Sequence, residues 1–261
     1  MQSFLLPDLY NLLSHYFWPL VRTLALFSTA PIFSEKTAVK KVKIGLAVLI
    51  AFLLGPNLPD AHIVLWSIDG LWVTAKQIII GTSIGLTMQF IFAAMRNAGE
   101  IIGLQMGLSF ASFFDPSGNQ TMPVLGSIMN VLFTLLFLAF NGHLYLIDVL
   151  TESFTLLPVN AAPLSDGGFY LLLQTAGVIF SCGLKVGMPM ITLLLALNLT
   201  LGLLNRLTPQ LSIFVIGFPL SIAVGMGAFL LMMYNFGPIF YDLMNDTFRH
   251  LGNILSAFSW V

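Results

Sequence analysis

The sequence predicts an all-α, membrane-associated protein built of kinked helices and helical hairpins. The chain of 261 residues is 57% hydrophobic and only 8% charged, against about 25% charged in ordinary soluble domains. Residues 116–147 and 207–241 contain no Asp, Glu, Lys or Arg, whereas one helical pass through the hydrocarbon core needs only about twenty apolar residues. Proline and glycine recur inside the apolar stretches, which is typical of helices that are kinked or closely packed in a membrane.

Six apolar segments are expected along the chain, followed by a more amphipathic stretch at 238–258. The six lie at 9–33, 44–58, 71–95, 123–147, 168–204 and 209–237. Turn-forming residues separate them: Gly55-Pro56-Asn57, Asp115-Pro116-Ser117-Gly118, Leu157-Pro158 and Thr208-Pro209. The segment at 44–58 is short for a membrane span. Two interpretations stay open: an ordinary bundle with kinks, or a chain that is largely buried against other subunits.

The few basic residues are distributed asymmetrically. The first connection holds four lysines between residues 36 and 43, the third holds Arg96 and the fifth holds Arg206. The second and fourth connections contain acidic residues and no Lys or Arg. Because Lys and Arg are retained on the cytoplasmic side, the odd-numbered connections are predicted to be cytoplasmic and both termini to lie on the other side.

The composition argues against several classes of function. A net charge of −1 leaves no basic surface for nucleic acid. The histidines are scattered and Cys182 is the sole cysteine, so we expect neither a metal site nor a cofactor. No nucleophile–base constellation or phosphate-binding loop is present, and the chain is not expected to be an enzyme. Carboxylates lie at the breaks, which disfavours an autonomous small-solute transporter.

Glycines at four-residue intervals predict close packing of helices. On a helix this spacing lines small residues along one stripe, so that another backbone can approach. The other backbone could belong to this chain or to a neighbouring subunit, and the spacing does not distinguish the two. The glycines are Gly81, Gly85, Gly99, Gly103, Gly107, Gly183 and Gly187.

Lys185 is the clearest charge in the middle of an apolar segment. A charge inside a membrane calls for a functional explanation or a partner of opposite charge. We expect Lys185 to pair with a carboxylate of a neighbouring subunit.

The stretch after the glycine series predicts a loop. Residues 105–114 are mostly apolar, but small residues and the Asp115-Pro116-Ser117-Gly118 turn prevent a stable span. Three phenylalanines and a methionine could form a deformable hydrophobic plug in a pore. Alternatively, the aromatic rings could dip into the lipid headgroup region, and the residues alone favour this second interpretation.

Several motifs together resemble the FliR family, the R subunit of the flagellar type III protein export gate. They occur in the family's order and cover essentially the whole chain. SpaR- and YscT-type injectisome subunits are similar, but the last two motifs favour the flagellar branch. Many members carry a lysine after the last motif, where this chain has Ser221. The motifs are GEIIGLQMGLSF at 99–110, Asp115-Pro116, Asn141-Gly142-His143, NRLTPQLSIF at 205–214 and GFPL at 217–220.

The resemblance implies a core subunit of an export gate in the bacterial inner membrane, at the flagellar basal body. Such a subunit forms a plugged pore with FliP- and FliQ-type subunits and works with FlhA- and FlhB-type gate proteins. Its contacts would also include membrane lipid and exported unfolded polypeptides, but no nucleic acid. The fold would be a single helical unit over 1–261, with a P-like part at 1–165 and a Q-like hairpin at 166–261. The alternative is the equivalent subunit of a virulence injectisome.

The resemblance also places the family's pore plug at residues 106–121. The plug residues that it implies are Met106, Gly107, Leu108, Phe110, Phe113, Phe114, Asp115, Pro116 and Gly118.

Overall fold

The computed structural model describes residues 6–35, 39–58, 63–108, 124–208 and 213–259. Within these ranges the chain is helical and contains no strand, so the predicted all-α class is confirmed. A short 3-10 turn, Gly55–Asn57, follows the second helix. The helices are α1 Leu6–Thr29, α2 Lys40–Leu54, α3 Ile68–Gln105, α4 Val124–Ala139, α5 Gly142–Leu156, α6 Asp166–Ala176, α7 Val178–Leu207, α8 Ile213–Tyr234 and α9 Phe236–Phe258.

Three stretches of the described chain are long and apolar enough to cross a membrane. They are α3, the α6–α7 stretch and residues Gly217–Tyr234 of α8, and α4 with α5 forms a fourth, bent candidate. The count of six segments is therefore not confirmed. Helix α2 rises only about 22 Å, less than the hydrocarbon core of about 30 Å. Helix α3 rises about 57 Å and extends well beyond that thickness.

Proline explains several helix ends. Helix α5 ends at Leu156 and α7 at Leu207, each two residues before a proline. Proline lacks the backbone N–H of a helix, and its ring pushes the preceding residue out of the helical region. Pro19 of α1, Pro189 of α7 and Pro219 of α8 lie inside helices, as their apolar stretches predicted. Pro31, expected at a fourth such position, lies in the turn after α1.

The structure divides into two compact units, and the first comprises residues 1–90, 140–176 and 247–261. Within it α1 packs against α2 and comes into close contact with α3. A Cβ added at Gly81 would lie 2.8 Å from Ala25 Cβ, and one at Gly85 would lie 2.8 Å from the amide nitrogen of Ala30. Small residues on α3 therefore let the two backbones approach.

The second unit comprises residues 91–139 and 177–246. Its core includes edge-to-face aromatic contacts, with ring centroids 4.9 Å apart for Phe92 and Phe133 and 4.8 Å apart for Phe133 and Phe240. Helices α7 and α8 pack against each other as a hairpin. This unit places the end of α3, where the predicted plug begins, beside that hairpin. The proposed division of the chain at residues 165 and 166 stays a prediction.

Candidate functional site: the start of the loop after α3

Helix α3 ends in a turn that requires glycine. Residues 106–108 form this turn after Gln105, and Gly107 has φ +80°. Residues with a Cβ adopt this left-handed region only at a free-energy cost. A Cβ at Gly107 would also collide with the Phe218 ring of α8, whose Cδ1 would lie 2.7 Å away. Backbone conformation and packing therefore both select glycine at this position.

Met106 packs the same turn against α8. Its side chain is fully buried, and it lies where Gly225 leaves space. A Cβ at Gly225 would lie 2.7 Å from Met106 Cε. The methionine thus fills a notch that the missing side chain of Gly225 creates.

A polar bridge completes the contact between α3 and the α7–α8 hairpin. Asn198 Nδ2 of α7 donates to the carbonyl oxygen of Gln105 at 3.1 Å. Ser221 Oγ of α8 donates in turn to Asn198 Oδ1 at 3.4 Å. The last carbonyls of a helix lack partners within the helix, so Asn198 satisfies one of them. Ser221 is buried in this bridge.

These contacts define the loop anchor: Gln105, Met106 and Gly107 of α3 with Asn198, Phe218, Ser221 and Gly225 of the hairpin. Of the predicted plug, Met106, Gly107 and Leu108 are described. The other plug residues lie outside the described residues: Phe110, Phe113, Phe114, Asp115, Pro116 and Gly118.

The predicted packing glycines of the second unit differ in their surroundings. A Cβ at Gly99 would lie 2.7 Å from the Cα of Gly126 on α4. By contrast, a Cβ at Gly103 would meet only Leu125 Cβ, at an ordinary contact distance of 3.6 Å. Within this chain, α3 and α4 therefore approach each other more closely at Gly99 than at Gly103.

The other pair of glycines in this unit lies on α7. A Cβ at Gly183 would lie 2.9 Å from the carbonyl oxygen of Ala94 on α3. At Gly187 the nearest atom is Ile191 Cδ1 of the same helix, at 3.0 Å. Gly183 thus allows a backbone contact with α3, whereas the neighbour of Gly187 is a side chain that can move.

Lys185 is exposed at a groove of the second unit. Asp242 and Asp246 of α9 line the same groove. Lys185 thus shares this groove with carboxylates of its own chain. Its predicted pairing with a neighbouring subunit stays a prediction.

Arg22 is a buried charge that the sequence reasoning did not select as a site. Its side chain is fully buried in the first unit. Nε donates to Gln77 Oε1 at 2.7 Å, Nη1 to Ser153 Oγ at 2.9 Å and Nη2 to the carbonyl oxygen of Leu157 at 2.8 Å. The guanidinium also lies over the Phe154 ring, 3.8 Å from its centroid. The Arg22 side chain thus joins α1 to α3, to α5 and to Leu157, the residue that follows α5.

Lys76 is a second buried cation of this unit, with 3% of its surface exposed. Its Nζ donates to Asn160 Oδ1 at 2.7 Å and to the carbonyl oxygen of Ala162 at 3.2 Å. The signal for Arg22 and Lys76 was present in the sequence, because both are cations within or beside apolar stretches. Their neutral partners could not be foreseen, since those lie about 55 to 135 positions away along the chain.

Comparison with known proteins decides the family. The model of the family "Bacterial export proteins, family 1" matches residues 13–247. The chain is 52% identical over 244 residues to the flagellar biosynthetic protein FliR of Escherichia coli (strain K12), with 94% of each chain covered. This chain belongs to the FliR family. FliR of Pectobacterium carotovorum subsp. carotovorum is 48% identical over 97% of each chain, and FliR of Bacillus subtilis (strain 168) is 29% identical over 88% of this chain and 92% of that one.

Membership of the FliR family confirms the resemblance seen in the motifs. Together with its apolar helices, it identifies the chain as a membrane protein of the flagellar export apparatus. The loop anchor therefore lies in a protein whose setting is protein transport and the biogenesis of flagella.

Proposed function

We propose that this chain is a core structural subunit of the flagellar type III protein export gate. With FliP- and FliQ-type subunits it forms a pore for unfolded flagellar proteins, and the loop over residues 106–121 plugs that pore. The gate lies in the bacterial inner membrane at the flagellar basal body and works with FlhA- and FlhB-type proteins. The proposal assigns no catalytic step to the chain.

The loop anchor is the observation that supports a plug. A movable seal needs a fixed start, and Gly107 against Phe218 with Met106 against Gly225 provides one. Beyond it, Phe110, Phe113 and Phe114 offer apolar bulk without hydrogen-bonding groups. Water in a narrow ring of such side chains loses its partners and withdraws, which blocks ions. An exported polypeptide can still push such side chains aside, because no hydrogen bonds hold apolar rings in place.

The relatives support the flagellar branch over the injectisome. Relatives that are 52%, 48% and 28% identical, each matched over 84% or more of this chain, carry the name flagellar biosynthetic protein FliR. The unfolded cargo of the proposed gate is therefore taken to be flagellar.

The test is the triple variant Phe110→Ala/Phe113→Ala/Phe114→Ala in the assembled gate. We expect cells that express it to leak ions at rest, because the hydrophobic barrier is removed while the loop anchor is intact. Membrane potential, read with a voltage-sensitive dye, should fall, and the gate should still purify as a complex. As a control, Phe52→Ala/Phe180→Ala removes rings that are 63% and 67% exposed on α2 and α7. This control should leave the potential unchanged.

A second variant tests the anchor itself. Gly107→Ala adds a Cβ at φ +80° and against the Phe218 ring, so it should displace the start of the loop and produce a leak of the same kind. If correctly assembled gates with the triple variant hold a normal potential, the loop is an interfacial segment and the plug proposal is wrong.

A further inference from the structure

Helix α2 separates charged from apolar residues along its axis. Lys40, Lys41 and Lys43 lie in its first turn, and residues 35–43 carry four lysines against one glutamate. Residues 44–54 are all apolar. Helix α2 packs against α1, but only a narrow strip of it is buried. Its other apolar side chains include six that are 38–65% exposed: Val42, Ile44, Leu46, Val48, Leu49 and Leu53.

This distribution favours a bilayer over a single partner helix. A helix that docks against protein concentrates its apolar side chains on one stripe along its length. On α2 the six exposed apolar residues cover about 200° of the circumference, at about 100° per residue. Fluid acyl chains can cover such a broad convex surface. Lysines at one end of it match the border between hydrocarbon and headgroups, because their stems can lie on apolar surface while the ammonium stays among polar groups.

The length of the apolar part of α2 matches one leaflet. Residues 44–54 rise about 15 Å, which is half of the hydrocarbon core of about 30 Å. With the lysines among the headgroups, the end of α2 lies near the centre of the bilayer. The connection before α2 is predicted to be cytoplasmic, and the cytoplasmic leaflet carries the anionic lipids that attract basic segments beside the membrane.

The far end of α2 meets the requirement for a helix that ends at this depth. Backbone that leaves a helix inside a bilayer needs partners from the protein, because lipid offers none. The carbonyl oxygen of Gly55 accepts from His15 Nε2 at 2.6 Å and from the amide of Leu58 at 3.0 Å. Gly55 is buried, and a Cβ there would lie 2.7 Å from Cδ1 of the Tyr16 ring. Helix α1 thus covers the turn after α2.

We propose that α2 enters only the cytoplasmic leaflet and that its lysines bind anionic phospholipid there. The phosphates accept from the ammonium groups of Lys40 and Lys41, and acyl chains lie along the six exposed apolar residues. Lys43 Nζ donates to the carbonyl oxygen of Glu35 at 2.9 Å and so holds the preceding turn beside the start of α2. This role requires a membrane protein but does not depend on a plug in the pore.

The first experiment uses the full chain, purified with the export-gate subunits that accompany it and stripped of lipid. Dioctanoyl phosphatidylglycerol, which is anionic, and dioctanoyl phosphatidylethanolamine, which has no net charge, are titrated separately, and bound lipid is counted by native mass spectrometry. Each lysine beside an anionic surface contributes about fivefold in affinity. Lys40→Gln/Lys41→Gln should therefore raise the half-saturating concentration of at least one glycerol lipid per chain about 25-fold. Binding of the ethanolamine lipid should change little.

Two controls keep the measurement specific to the position and charge of these lysines. Lys40→Arg/Lys41→Arg keeps the charge and should bind both lipids as the wild type does. Arg206→Gln removes one exposed cation of the second unit and should also bind as the wild type, whereas Lys41→Gln should weaken the glycerol lipid about fivefold. The proposal is wrong if Lys40→Gln/Lys41→Gln binds both lipids with wild-type affinity.

A second experiment identifies what covers the apolar part of α2. A photo-cross-linking amino acid replaces Leu49 in the gate, which is assembled in membranes, irradiated and analysed by mass spectrometry. We expect an adduct whose added mass is that of a phospholipid. An adduct with another subunit, and none with lipid, would overturn the proposal, because a protein partner would then cover this surface.

Discussion

Among single residues, Arg22 shows how this chain keeps a charge away from both water and lipid. Arginine stays protonated in proteins, so a buried guanidinium needs acceptors for its N–H groups. Gln77, Ser153 and the Leu157 carbonyl supply neutral ones, and the Phe154 ring adds a cation–π contact. The planar fork reaches three acceptors on separate elements, which a point charge could not do.

Arg22→Lys should therefore destabilise the first unit although the charge is kept. The ammonium can reach only part of the three acceptors, and each lost hydrogen bond from a charged group costs about 1.5–3 kcal/mol. We expect a loss of about 2–4 kcal/mol, measured as a lower thermal-unfolding midpoint of the purified gate. Arg206→Lys is the control at an exposed arginine, where a change of about 0.5 kcal/mol or less is expected. Equal midpoints for the two variants would show that the fork is dispensable.

Turning to whole elements, α3 contributes to both units and depends on where its glycines lie. Gly81 and Gly85 face α1, whereas Gly99 faces α4. The four-residue interval was readable from the sequence, but the partner helices were not. The spacing fixes a stripe on one helix and contains no information about which other helix meets it.

Gly99→Ala and Gly103→Ala should differ sharply although they lie one turn apart. A Cβ at Gly99 would force the α3 and α4 backbones apart, and such overpacking costs about 1–3 kcal/mol. A Cβ at Gly103 has room beside Leu125, and alanine favours the helix by about 0.5–1 kcal/mol. Urea or thermal unfolding of the purified gate should therefore show a loss for the first variant and a small gain for the second. The reverse order would contradict this packing of α3 and α4.

Gly103→Leu extends this comparison beyond the chain. The sequence predicts that another backbone passes close to Gly103, and if a neighbouring subunit supplies that backbone, a leucine there should reduce the yield of assembled gate. This assembly defect, with Gly103→Ala behaving normally, would show that the space beyond the Cβ position of Gly103 is limited in the assembled gate. Wild-type assembly and secretion with leucine would show that this face meets lipid or open space.

The helix ends were more predictable than the number of membrane spans. Proline and glycine act locally, so the ends of α5 and α7 and the turn after α2 follow from the residues at those positions. Spans are different, because an apolar stretch looks the same whether lipid or protein covers it. Helix α2 came from an apolar segment but is too short to count as a span. Helices α4 and α5 together form one bent candidate, and neither qualifies as a span by itself.

On the scale of the whole molecule, the apolar helices differ in how much of them the chain itself covers. The most apolar stretch of α3 is 61% buried, but only 22% of Gly217–Tyr234 in α8 is buried. Leu230 is 68% exposed and Tyr234 is 88% exposed. Contiguous apolar surface of this kind marks an interface with lipid or with other proteins.

The loop anchor could be predicted from the sequence only in part. The motif at 99–110 correctly drew attention to the end of α3. The need for glycine at 107 follows from a left-handed turn and from the Phe218 ring, which is 111 positions further along the chain. Contacts over such separations are properties of the fold, so Asn198, Phe218 and Gly225 could not be assigned to the anchor from their sequence context.

The uncovered face of α8 leads to a prediction about assembly. If partner subunits cover it, the chain expressed alone should aggregate or be degraded, and co-expression with FliP- and FliQ-type subunits should give a monodisperse complex. A photo-cross-linking amino acid at Leu230 should then form an adduct with a partner subunit. The same residue at Leu53 on α2, which is 63% exposed in the first unit, reports whether an adduct is particular to α8. A lone chain that is monodisperse and thermally stable, with no adduct at Leu230 in co-expressing cells, would mean that lipid covers this helix.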